Sequence, residues 1–192
     1  MNELIKEYKS WINENQNFII HLKNHDSALY TRFMPVYMVL NFLYEEYSNN
    51  QDEFTEDLFK IFQVGFEFIY SQIFTCKIYL EKTFNNDFHQ FIEYDKVIGY
   101  LLYVEDLRYE LKEHDQDADE NIVNNLVRYL EDLMINKEEI PETLNLYVDA
   151  EIHKVIEGSI DFNNIIDIFV EIAETLGIDL YYETDYLVGK DI

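Results

Sequence analysis

Apolar side chains recur at three- and four-residue intervals along most of the chain, the pattern of helices that bury one face. Segment 2–23 keeps this period with Leu4, Ile5, Tyr8, Trp11 and Ile12, then Phe18, Ile19 and Leu22. The polar run from Asn13 to Asn17 is where that helix would break. His25-Asp26-Ser27 reads as the cap of a second helix over about 27–48, which Pro35 should kink or restart. Ser48-Asn49-Asn50-Gln51 reads as a loop. Segment 53–84 is long and aromatic and predicts a central helix, with Gly65 or Ser71 as the place where it would split.

Further on, Val97, Ile98, Leu101, Val104, Leu107 and Leu111 give segment 88–114 one apolar face. A helix over about 119–137 follows, with acids at its start where the helix dipole favours them. Pro141 suits the first turn of another helix running to Ile156, while the alternation of Leu144, Leu146 and Val148 allows a short strand instead. Asp161 reads as the cap of a last helix over 162–176, stopped by Gly177. Ile178, Leu180 and Tyr182 alternate with polar or tyrosine positions and allow a short terminal strand. The expected fold is mainly α: a compact domain of about six to eight helices spanning 1–192, with a short strand or hairpin near the C-terminus.

Composition supports that reading. Hydrophobic residues make up 48% of the 192 positions, enough for a core, and only 5 Gly and 2 Pro interrupt them. Cys76 is the single cysteine, so an intramolecular disulfide is excluded. The N-terminal Met1-Asn2-Glu3-Leu4-Ile5-Lys6 lacks the basic start and apolar run of a signal peptide. No stretch has the uncharged apolar length of a membrane span. A cytoplasmic location is expected.

Charge changes the picture more. The formal net charge is −25, which disfavours direct binding to nucleic acid or anionic membrane and favours a basic protein partner. It is uneven along the chain. Residues 1–96 hold 15 acids and 8 bases, whereas 97–192 hold 24 and 6. The densest stretch contains Glu105, Asp106, Glu110, Glu113, Asp115, Asp117, Asp119 and Glu120, and these are the candidate partner-binding residues. Asp106, Glu110 and Glu113 are four and three apart and would stack as one ridge on a helix.

Candidate chemistry is sparse. Asp115, Asp117 and Asp119 occupy positions 1, 3 and 5 of a calcium-loop pattern, but Glu120 replaces its turn glycine and Leu126 its bidentate glutamate. His21 and His25 have the helical spacing of two zinc ligands, yet Leu22 stands where a zincin carries its glutamate. No phosphate-cradling loop, nucleophile elbow or Cys-x-x-Cys occurs. No catalytic residue, metal ligand or cofactor is therefore assigned.

One run carries a resemblance. Arg108-Tyr109-Glu110-Leu111-Lys112-Glu113-His114 is similar to the RNase motif of the HEPN family, over these seven residues alone. The resemblance implies an RNase using Arg108 and His114. Against it, Tyr109 replaces the small polar residue usual after the arginine. Six-residue spacing also sets the pair about 240° apart on a helix, and the neighbouring acids repel RNA phosphate. The composition favours an inhibitor-type binding protein instead: an immunity protein, antitoxin or phage-encoded inhibitor that blocks a basic nuclease or nucleic-acid-binding partner, with nucleic-acid mimicry as one mode. The alternatives are a helical scaffold or oligomerisation module binding through aromatic surface, and the HEPN-like RNase.

Overall fold

The computed structural model describes residues 2–113, 120–156 and 164–180. Among them are eight α-helices and one 3-10 turn, with no strand: α1 (Asn2–Asn24), α2 (Ala28–Asn49), the turn Gln51–Glu53, α3 (Glu56–Lys82), α4 (Phe88–Glu93), α5 (Asp95–Glu113), α6 (Glu120–Ile135), α7 (Leu144–Ile156) and α8 (Ile165–Thr175). The all-α fold agrees with the periodicity. None of these helices is long and apolar enough to cross a membrane.

The chain divides into two compact units. Within the described residues the first holds 2–26, 30–74 and 164–180, and the second holds 27–29, 75–113 and 120–156. In the first unit, α1 runs unbroken through its polar stretch because Asn15 turns inward and donates to the Trp11 carbonyl oxygen at 2.7 Å. Tyr8 and Trp11 pack against Phe66 of α3 at ring distances of 5.3 and 5.6 Å. The Tyr8 hydroxyl donates to Asn41 Oδ1 of α2 at 2.7 Å, so the buried phenol is satisfied. α2 passes through Pro35 without ending, and α3 splits at neither Gly65 nor Ser71. Gly65 has a different purpose: a Cβ there would lie 2.6 Å from the Phe169 ring of α8. Phe169 and Ala173 are the buried residues of α8.

The second unit is assembled around α5 and α6. Segment 88–114, expected as one helix, is two. Tyr94 turns inward between α4 and α5, packing against Phe84 with tilted rings 5.5 Å apart and donating from its hydroxyl to the Glu138 carbonyl oxygen at 3.0 Å. Asp87 caps α4 by accepting from the His89 and Gln90 amides. At the start of α2, the Leu29 amide donates to Ser27 Oγ at 3.1 Å and the Ala28 amide to Asp95 Oδ2 at 2.6 Å. Two donors that the helix cannot satisfy internally are thus paired.

α7 is the helix to Ile156 that the sequence indicates, and the short strand that 144–148 also allowed does not form. Leu144, Val148 and Ile152 are buried at helical spacing. α8 is capped by Asn164, which accepts from the Ile166 amide at 3.0 Å. The Asp161 expected in that role lies outside the described residues. Gly177 ends α8 at φ +71°, with the Ile178 amide donating to the Ala173 carbonyl oxygen at 2.8 Å, a glycine-terminated helix as the sequence indicates. Residues 178–180 form no strand, and Tyr182 lies outside the described residues.

Candidate acidic interface

The candidate acids fall into different environments. On α5, Glu105 is exposed and forms an ion pair with Arg108 at 3.3 Å. Asp106 and Glu110, the first two members of the expected ridge, are half-buried, and each already has an interaction within the protein. Glu113 is the last residue of α5. His114, Asp115, Asp117 and Asp119 lie outside the described residues. Glu120 is exposed and opens α6.

The fold adds a carboxylate that spacing alone does not place. Glu131 of α6 accepts from the Tyr79 hydroxyl at 3.2 Å. Burial, then the charge and hydrogen bond of Glu131, then the charge of Glu105, push the Tyr79 phenol well above its usual range. Two acids from α5 and α6 therefore act on one tyrosine. Periodicity gives each helix its own face, but only tertiary packing tells which faces meet.

Exposed acid exceeds base in two stretches: residues 45–57, where Glu45, Glu46, Asp52, Glu53, Glu56 and Asp57 are exposed with no Lys or Arg among them, and segment 120–156. The second lies beside the candidate residues. It holds eight carboxylates against Arg128, Lys137 and Lys154. Six of the eight are exposed: Glu120, Asp132, Glu138, Glu139, Glu142 and Asp149. Two of the three bases are engaged locally. Lys137 bonds Gln90 and lies 5.6 Å from the Phe84 ring centre, and Lys154 pairs with Glu151. By unit, the described residues of the first carry 15 acids and 5 bases, and those of the second 16 and 8. Part of the acidic half is thus in the first unit, because α8 belongs there.

The same segment exposes apolar surface. Leu146 is 64% and Tyr147 43% exposed. The Tyr147 ring meets half-buried Tyr129 of α6 edge-on at 5.0 Å. Asp149 contributes, after burial, to raising the Tyr100 phenol on α5. In a helix, Leu144 and Val148 share the buried side and Leu146 is turned roughly opposite.

Metal chemistry finds no assembled centre: among the described residues, no three His, Cys, Asp or Glu side chains gather to hold an ion. His21 and His25 are exposed with ring centres 6.4 Å apart, and His25 Nδ1 bonds the His21 carbonyl oxygen at 2.8 Å. Cys76 is buried. No family model matches this chain, and no curated protein and no solved structure matches it.

Proposed function

We propose that this protein is an acidic inhibitor-type binding protein. It docks on a basic nuclease or nucleic-acid-binding partner and occludes the surface that partner uses for nucleic acid. Immunity proteins, antitoxins and phage-encoded inhibitors of defence nucleases are the functional types that fit, and no catalytic step is assigned to the chain. The observation that supports the reading most directly is the exposed acid of segment 120–156, whose bases are too few to neutralise it. Such a surface attracts a cationic cleft over several ångströms and speeds encounter. Glu105 and Glu120 extend the exposed acid on α5 and α6, whereas Asp106 and Glu110 are half-buried.

Nucleic-acid mimicry requires high charge density. Duplex DNA presents a charge every ~1.7 Å along its axis, and one helix ridge is several times sparser. Pooling acids from α5, α6 and the connection to α7 narrows that gap. The scaffold reading draws on the exposed Leu146 and Tyr147, and it predicts binding that salt leaves unchanged.

The test is to isolate the chain with its partner from its native cell and assay the partner's nucleic-acid binding or cleavage with and without the chain. Loss of that activity is expected, with recovery when Glu105, Glu120, Asp132 and Asp149 are neutralised together. A partner that stays fully active in the complex ends the proposal.

A further inference from the structure

Exposed acid is spread over both units, so charge alone does not say which face a partner covers. Large apolar side chains are exposed on both units as well, Phe74, Tyr109 and Ile135 among them, and on α7 that exposure is combined with exposed acid and a ring contact to a second helix. Leu146 and Tyr147 stand out on α7, a helix whose other apolar residues Leu144, Val148 and Ile152 are buried. Tyr129 extends the apolar strip onto α6 through its edge-on ring contact with Tyr147 at 5.0 Å. Leu146 is 64% exposed, and an exposed leucine beside a tyrosine pair is suited to insertion into a partner.

The acids around the strip specify what fits. Glu142 lies four residues before Leu146, Asp149 three after it, and Asp132 three after Tyr129, and all three are exposed. Helical spacing puts Asp149 on α7 and Asp132 on α6 beside the strip, and Glu142 lies in the turn just before α7. An apolar centre with an anionic rim complements an apolar stripe flanked by cations. We infer that the α6–α7 face centred on Leu146, Tyr147 and Tyr129 is the docking surface, and that its occupant is a basic amphipathic helix of the partner protein. The helix lays its apolar residues on Leu146 and Tyr147 and directs lysines or arginines to Asp132, Glu142 and Asp149. This inference rests on the acidic-inhibitor reading and gives it a location and a partner element.

The experiment measures fluorescence anisotropy of two labelled peptides with the full chain at physiological ionic strength. One is an amphipathic helix of leucine and lysine. The other has the same length and charge but glycine and serine in place of leucine. The account predicts that the amphipathic peptide binds at least about tenfold more tightly. The Leu146→Ser/Tyr147→Ser variant should lose that preference, and Leu146→Ser alone should lose part of it should the double variant fold poorly. Val64→Ser, an exposed apolar position on α3, should keep it. Equal binding of the two peptides, or a preference that survives at Leu146 and Tyr147 or is lost at Val64, overturns the docking surface and leaves the charge-based function standing. Failure of both peptides to bind, or binding unchanged in Asp132→Asn/Glu142→Gln/Asp149→Asn, overturns both.

Discussion

Gly65 is absent a side chain where the Phe169 ring needs the space: its Cβ would sit 2.6 and 2.7 Å from two ring carbons. Gly65→Ala must displace a buried aromatic ring, and overpacking of this kind costs about 1–3 kcal/mol. Phe169→Ala empties the same place and should cost roughly 3–5 kcal/mol. Because the residues share one space, chemical denaturation of the double variant should show less than the sum of the two losses. An additive result would contradict the packing. The sequence announces a glycine here but not its reason, since a partner about a hundred residues distant leaves no local trace.

Ionisable residues give two more checks. Backbone donation from Gln90 holds the Asp87 carboxyl below its usual 3.8, aided by the Gln90 side chain and the His89 amide. A depressed folded pKa contributes stability above the unfolded value and loses it as pH falls through the folded one. The melting-temperature advantage of the natural protein over Asp87→Ala should therefore shrink below about pH 4. Tyrosines behave in the opposite sense. Burial is the first cause raising Tyr8, Tyr37, Tyr79, Tyr94 and Tyr100 above 10.0. Their stabilising contribution is complete below pH 10 and is lost as pH rises through the folded values. Tyrosinate absorbance should show a group that titrates late and releases on alkaline unfolding. Glu131→Gln should bring the Tyr79 transition down; an unshifted transition would mean that Glu131 does not act on it.

At the scale of elements, the periodic pattern is a good guide wherever a helix buries one face and ends in its own capping residues. α6 and the end of α8 at Gly177 follow directly from such signals. It fails where tertiary contacts decide. α4 and α5 are separate because Tyr94 turns into the core, and the chain carries neither glycine nor proline there to signal a break. Asn13–Asn17 looks like an interruption, but Asn15 is satisfied by the Trp11 carbonyl. On α5, spacing sets Asp106 and Glu110 four apart but does not give their burial, and both are half-buried and engaged. The exposed acids of 120–156 were visible as composition, but not as a surface.

At the scale of the whole molecule, −25 charges must be held on 192 residues. Self-repulsion opposes the folded state, and ions screen it. Raising salt from about 50 to about 500 mM should increase the melting temperature, and a flat response would show that the acids are already compensated. The same charge supplies the long-range part of recognition, while Leu146 and Tyr147 give it a place to end. Salt should thus act in opposite directions on the chain alone and on its complex.

The most direct measurement is the salt dependence of the affinity for the partner recovered with this chain. The account predicts that the dissociation constant rises by at least about tenfold between about 50 and about 500 mM salt. It also predicts that neutralising Asp132, Glu142 and Asp149 flattens that dependence. An affinity that stays constant with salt, in the natural protein and the variant alike, would contradict it.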